Sequence, residues 1–403
     1  MGKWLVLLAI LMGSPLFAQD GGNTSPSSTQ PGGDEDEVDP WQDFDVGGVQ
    51  DGEYLPLTLG RDRTGLGLRA RASFGWDSNI FLEDKDDDTG LYGDAMAYAY
   101  VGANLGVVSL GARGHIAGRL YFGEADADMW DLKLGAFFKL PYNGGFGVGV
   151  SADVLYHQLH AYEITGPLTR QDDLRASGAI ARAYVGYQVS FVIFELGFTG
   201  QTTDFTEERD VPSLDSWTIG ADFSIYFKIF DFLELHPYVA FDYEWFRDQV
   251  DVQDDGTPLS TEDKLQLLKF NYGADFKLNL PFIEAQGRVY SVRQDDSAAG
   301  HDRYWQYGIK GAADLNLVGD VRLTLGGHFW TREYDDLIDV DNVGADGQRT
   351  VHERYLQVWV EVAWNFWEFM AVGARYTYTR RTSDIDNAGY AAHDASIFLE
   401  IAW

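Results

Sequence analysis

The chain has 403 residues, 45% of them hydrophobic, yet its mean hydropathy is −0.23. Apolar and polar residues are therefore finely interleaved, and no run reaches the roughly 18 consecutive apolar residues that a spanning helix needs. The lack of cysteine excludes disulfide frameworks, thiolate metal sites and an acylated N-terminal cysteine, and a formal charge of −33 disfavours nucleic acid as a partner.

The first residues read as an address. Lys3 supplies a positive start, Trp4 to Met12 a short apolar run, and Gly13-Ser14-Pro15 a break. This is the pattern of a secretory signal peptide over residues 1–18, with Ala18 before the cut. Residues 19–62 follow as an acidic, Gly/Ser/Pro-rich tail containing Pro31-Gly32-Gly33 and Asp34-Glu35-Asp36-Glu37. Its few apolar groups cannot offset the entropy of ordering it. It reads as a flexible periplasmic tail, with Trp41, Phe44 and Tyr54-Leu55 as the residues able to dock.

From residue 63 to 403 the chain alternates with period two, the signature of strands. Its 45 glycines and 15% aromatics agree. Leu66, Leu68, Ala70, Ala72, Phe74 and Trp76 share one phase, and Arg69, Arg71, Ser73 and Asp77 the other. About sixteen such segments are expected, with fourteen or eighteen as the neighbouring even counts. They run over 66–81, 94–104, 110–122, 129–140, 146–160, 176–189, 191–203, 216–227, 233–246, 265–278, 282–292, 303–315, 321–331, 354–366, 369–380 and 392–403. Turn signals are weakest at Val107-Val108 and Val189-Ser190.

Connectors alternate too. Short ones such as 141–145, 279–281, 316–320 and 367–368 alternate with longer acidic ones such as 82–93, 161–175, 247–264 and 332–353. Short turns at one rim and long loops at the other predict an all-β, transmembrane, antiparallel up-and-down barrel of the outer-membrane kind. The tail carries a net charge of about −10 and the long connectors, with their flanking charges, about −24. Within strands, charges keep to the polar phase, because a charge facing lipid at mid-depth costs roughly 2–4 kcal/mol. The candidate lumen-lining residues are Arg69, Arg71, Asp77, Arg113, Arg119, Lys133, Asp153, Arg182, Asp222, Glu234, Asp242, Lys277, Arg288, Arg322, Glu361 and Arg375. Aromatics near strand ends (Trp76, Tyr92, Trp130, Tyr142, Tyr156, Trp217, Trp245, Trp305, Trp364, Trp367) are expected to form interface girdles.

Two resemblances add to this. The last strand, with Ile397, Leu399, Ile401 and Trp403 on one phase, resembles the C-terminal signal of outer-membrane barrels, which implies delivery to the barrel-assembly machinery. The segment from Phe74 to Leu82, with Trp76, Asp77, Asn79 and Ile80, resembles the first-strand motif of outer-membrane β-barrel porin families, the porin-2-like barrels. Some members of these families sit beside exopolysaccharide export systems. The resemblance implies a porin or a polymer conduit and does not choose between them. The acidic tail is outside that pattern.

No Gly-rich phosphate loop follows a strand, and no His-Glu-x-x-His occurs. His157 and His160 with Asp172-Asp173 form the one cluster with catalytic residue types, at an outer rim where histidines are usually solvated. Asp84, Asp86 and Asp88 begin like a calcium loop. Thr89 stands where glycine is needed and Ala95 where a bidentate glutamate should be, so only weak divalent binding is expected there. No enzyme activity and no cofactor are expected. The expected partners are outer-membrane lipid and lipopolysaccharide, the assembly machinery and, for a polymer conduit, polysaccharide-export components. The sequence points to a passive channel for polar solutes. The alternatives are a conduit for exopolysaccharide and a structural or adhesive barrel. Deleting Trp403 is expected to lower the amount in the outer membrane and accumulate degradation products; fractionation that finds normal assembly would mean the terminal strand is not the signal.

Overall fold

The computed structural model describes residues 65–79, 89–105, 107–123, 128–140, 142, 144–160, 173–206, 215–230, 232–250, 264–296, 303–338, 348–384 and 389–402. The expected leader and tail, Ile80, the aspartates at 84, 86 and 88, most of the long loops and Trp403 lie outside them. Sixteen strands form one closed antiparallel barrel in which each pairs with its sequence neighbours. They are β1 (Gly65–Asp77), β2 (Gly90–Asn104), β3 (Ser109–Tyr121), β4 (Met129–Leu140), β5 (Phe146–His160), β6 (Asp173–Val189), β7 (Val192–Thr206) and β8 (Ser216–Phe230). The other half comprises β9 (Leu233–Val250), β10 (Lys264–Leu280), β11 (Ile283–Asp296), β12 (Tyr304–Asn316), β13 (Val321–Ile338), β14 (Gln348–Trp367), β15 (Met370–Ser383) and β16 (Tyr390–Ala402).

Closure comes from β1 pairing with β16, from Arg69 opposite Ala402 to Asp77 opposite Asp394. The Ser78 amide extends this ladder to the His393 carbonyl at 2.9 Å. One rim carries short connectors (105–108, 141–145, 190–191, 231–232, 281–282, 317–320, 368–369), and the other carries 78–89, 122–128, 161–172, 207–215, 251–263, 297–303, 339–347 and 384–389. The weak turn signal at 189–190 has a local explanation. Ser190 takes a positive φ of 56°, and Gln188 holds the turn from outside it. Its side-chain amide donates to the Ser190 carbonyl at 3.1 Å and accepts from the Gly144 amide at 3.2 Å. Two neighbouring turns thus support one another, the first through Gly144 with a positive φ of 76° and the second without a glycine at its tip.

The two faces differ sharply. In β16, Ile397 is 63% exposed while Phe398 is 3% exposed. On the outward phase of every strand, the described side chains between the short-turn rim and the last apolar row are uncharged. On β14, for example, Trp364, Val362, Val360, Val358 and Leu356 face outward before Arg354 appears. That belt matches the roughly 9–11 residues a tilted strand needs to cross a bilayer. β14, with 20 residues, and β13, with 18, stand well beyond it on the long-loop side. Among the described residues no helix is long and apolar enough to cross a membrane. The charge-free belt on a closed barrel makes this a transmembrane fold, since every backbone group in the hydrocarbon is paired.

Two girdle expectations are corrected. Tyr92 is fully buried and Tyr142 is 9% exposed. Both turn inward, where Tyr92 donates to Asp394 at 2.6 Å and Tyr142 to Glu195 at 2.5 Å. Tyr92 sits two residues before Asp94 and shares its polar phase, so phase overrides nearness to a strand end. Trp76, Tyr156, Trp217, Trp364 and Trp367 are exposed aromatics.

A barrel with no free edge resists detergent unzipping. The unboiled protein is expected to migrate differently from the boiled one on a detergent gel and to give a β-type circular dichroism spectrum. Equal mobility with a helical spectrum would contradict the architecture.

Candidate functional site: the ion-paired inner wall

The inner wall follows from strand phase. Arg69, Arg71 and Asp77 project from alternate positions of β1, and the register carries this phase from strand to strand: Arg71 lies opposite Met96 and Glu400, and Asp77 opposite Asp394. The structure puts all sixteen candidate lumen residues on inward positions. Most of them do not stand free in water, because their charges are gathered into clusters; Lys133 and Glu234 make no ion pair among the described residues.

The largest cluster locks the seam. Arg71 donates through two nitrogens to both oxygens of Glu361, at 3.0 and 2.9 Å, and through Nε and Nη2 to Glu400, at 3.1 and 2.9 Å. Its guanidinium lies 3.8 Å above the Phe398 ring. Arg69 reaches Glu400 at 2.7 Å, and Arg322 approaches Glu361 at 3.5 Å and Glu400 at 3.7 Å. One network thus joins β1, β13, β14 and β16 across the closure. The planar fork of arginine suits this double chelation, which a lysine point charge cannot reproduce.

A second cluster stands nearer the long-loop rim. Arg119 of β3 faces Asp394 at 3.0 Å, Asp94 at 3.4 Å and Asp77 at 3.7 Å. Tyr121 donates to Asp77 at 3.1 Å, and Arg119 stacks 3.8 Å over Tyr92. The first-strand motif therefore has a visible structural task. The Asp77 carboxylate accepts from the Asn79 amide at 2.9 Å, and the Asn79 side chain donates to the Ala391 carbonyl at 3.3 Å. Trp76 faces outward beside this tie. Asp77, Asp94 and Asp394 flank long loops in sequence, yet their charge belongs to the wall.

Elsewhere an arginine reaches over an intervening strand. Arg113 of β3 holds Asp153 of β5 at 2.9 and 2.6 Å. Between them is Gly135 of β4, where a Cβ would come within 1.8 Å of the Asp153 carboxylate. Arg182 of β6 holds Asp222 of β8 at 2.9 Å and Glu195 at 3.2 Å. It passes Gly197, where a Cβ would meet both Asp222 and Arg182. These glycines are open ground for an ion pair to lie flat across the pleat. Arg288 chelates Asp275 at 2.6 and 3.1 Å, and His236 shares that carboxylate at 3.3 Å. Lys269 pairs with Glu244 at 3.1 Å, and Lys277 with Glu284 at 3.2 Å. Glu234 faces Lys277, Asp242 faces Lys269, and Lys133 lies opposite His115 in the register. Arg375 donates to Thr377 at 3.3 Å and covers the Trp359 ring.

Glu195, Asp275 and Glu400, whose charges the sequence also puts on the polar phase of their strands, carry the pairs just described. Arg332 and Arg381 were not among the sequence candidates. Arg332 donates to Gln306 at 2.8 Å, and Arg381 donates to Glu353 at 2.7 Å. Phase alone marks all of them as inward. Their partners are set by strand adjacency, which period-two alternation does not encode. The side chains of His157 and His160 fall outside the described residues, as does Asp172. Among the described residues no group of three or more His, Asp or Glu side chains is placed to hold a metal ion.

No protein-family model and no curated protein matches the chain in sequence. In three dimensions it is similar to outer-membrane expressed OmpT of Vibrio cholerae, at 12% identity and a TM-score of 0.43, covering 84% of this chain and 97% of that one. It is also similar to OccAB3 of Acinetobacter baumannii, at 10% identity and 0.39, covering 84% and 98%. A bacterial polysaccharide outer membrane secretin matches at 10% identity and 0.41, covering 84% and 98%.

Arg71→Gln is expected to destabilise the folded barrel by about 2–3 kcal/mol, because it removes the charge-assisted bonds to two buried carboxylates while Arg69 and Arg322 still face them. Arg247→Gln, at a rim pair whose arginine is 50% exposed, is expected to cost no more than about 1 kcal/mol. Denaturant titration of the detergent-folded barrel checks both; equal effects would show that the seam network does not hold the closure.

Proposed function

We propose that the chain is a passive channel of the outer membrane for polar solutes, with its long acidic loops outside and its N-terminal tail in the periplasm. One observation carries this reading. The outward belt is free of charge while the inward face of the same strands bears dense, paired charge, the sidedness of a barrel with lipid outside and water within. A barrel of sixteen strands leaves an aqueous lumen. The opposed rims support the orientation, because short turns and both ends of the barrel domain share one side.

The wall pairs bear on selectivity. Arginines 69, 71, 113, 119, 182 and 288 each lie within 4 Å of a carboxylate. Their fields are compensated at short range, so they do not act as a bare anion filter. The loops, by contrast, concentrate negative charge at one mouth. A focused negative field raises the local cation concentration, and salt screens it over about 8–10 Å near physiological ionic strength. The channel therefore prefers cations weakly, and more so in dilute salt.

The test is planar-bilayer recording of the refolded full chain. Steady conductance is expected, with a cation-favouring reversal potential in a salt gradient that grows as salt is lowered. Changing Asp84, Asp86, Asp87 and Asp88 together to asparagine is expected to move the permeability ratio toward unity at low salt. A silent barrel would overturn the channel reading. Anion selectivity, or no shift in the variant, would mean that an internal constriction governs.

A further inference from the structure

Among the described strand side chains, charge on the outward phase is confined to the long-loop side, and most of it is paired. Arg247 is held by Asp215 at 2.9 Å and Asp204 at 3.2 Å. Arg293 and Arg303 share Asp295, at 2.8 and 3.0 Å. His352 lies 4.0 Å from Glu333. Arg354 of β14 and Arg380 of β15 are different. Both are exposed on the outward phase, and neither has a carboxylate partner among the described residues.

They are also neighbours. Arg380 lies opposite Leu356, and Arg354 opposite Thr382. They are thus diagonal neighbours on one sheet face, where such positions stand about 7–8 Å apart. Two arginine side chains at that spacing can close on a single phosphate, each offering a planar fork of donors. The residues that face them across the ladders, Thr331, Thr382, Leu356 and Ala391, carry no charge. Glu333 and Asp384 stand one row higher, diagonal to Arg354, and both are engaged by His352, through its ring at 4.0 Å and its amide at 3.0 Å. Directly below, the outward face turns apolar and aromatic with Val358, Val360 and Tyr376, and the Tyr376 hydroxyl bonds His393 at 2.7 Å.

We propose that Arg354 and Arg380 bind the phosphate of a phosphorylated glycolipid in the leaflet that faces the long loops. This rests on the outer-membrane orientation proposed above. A chain of charge −33 repels anions over most of its surface. A pair of arginines without carboxylates, placed where the apolar belt ends, suits a ligand with an anionic head and acyl chains that lie down the belt. Thr331, Thr382 and His352 around the pair offer hydrogen bonds to the sugar bearing the phosphate.

Native mass spectrometry of the detergent-solubilised full chain tests this, with three added lipids: bisphosphorylated lipid A, the same lipid dephosphorylated, and phosphatidylglycerol. Wild type is expected to hold lipid A about tenfold more tightly than the R354Q/R380Q double variant, as loss of two charge-assisted contacts implies. The dephosphorylated lipid is expected to show no such difference, and R247Q to behave as wild type. Heat-modifiable mobility of each variant shows that it has folded. Equal lipid A retention by wild type and the double variant, or equal retention of the dephosphorylated lipid by wild type, would overturn the site. Phosphatidylglycerol held as tightly as lipid A would overturn the assignment to a glycolipid. Conductance of the same preparations separates the two readings. A conducting barrel indifferent to lipid A removes the lipid site alone, and a silent barrel that binds it removes the channel alone.

Discussion

A strand in hydrocarbon has no water to satisfy its backbone, so the sheet must close on itself. Everything else in this chain depends on that closure of β1 on β16. The ladder from Arg69 opposite Ala402 to Asp77 opposite Asp394 joins segments more than 300 residues apart, so its loop-closure entropy is the largest in the molecule. Side chains reinforce the place where the backbone must meet. Arg71 grips Glu400 and Glu361 from within, and Asn79 ties the rim to Ala391. The densest charge network thus coincides with the seam.

Closure also fixes sidedness. Once β1 and β16 are in register, the phase of every strand between them is set, because a slip of one residue would turn each side chain to the opposite face. A slip at β1 would move Arg69 and Arg71 into lipid and Phe74 and Trp76 into the lumen. The uncharged outward belt and the charged inner wall penalise such a slip together, and the penalty accumulates over sixteen strands.

That rule explains what was legible beforehand. Period-two alternation located the strands and their number because each strand is amphipathic across its width. Several strand ends on the long-loop side were read short, while β1, expected to reach residue 81, ends at Asp77. β13 extends to Ile338 and β14 starts at Gln348, where both phases become polar and the alternation disappears. Pairing was illegible for another reason. Arg71 and Glu361 lie 290 positions apart, and their contact depends on which strands become neighbours at closure. The tyrosines teach the same lesson from the other side. Tyr92 and Tyr142 looked like girdle residues by position, while the phase of Tyr92 with Asp94 already pointed inward.

The ion pairs also solve a problem of identity between the two faces. In a protein interior, a buried ion pair is often no more stabilising than apolar residues of the same shape. By that reasoning Arg113 and Asp153, or Arg182 and Asp222, could be replaced by leucines. In a barrel the replacement would make the inner face resemble the outer one, and the register would lose its sense of inside. Bare charges of one sign would preserve the sense but repel each other along the wall. Paired charges lying flat over Gly135 and Gly197 do both tasks: they mark the wet face and cancel its field. The long-range field is then left to the loops at one mouth, and the lipid-facing surface is left to the few arginines at the rim.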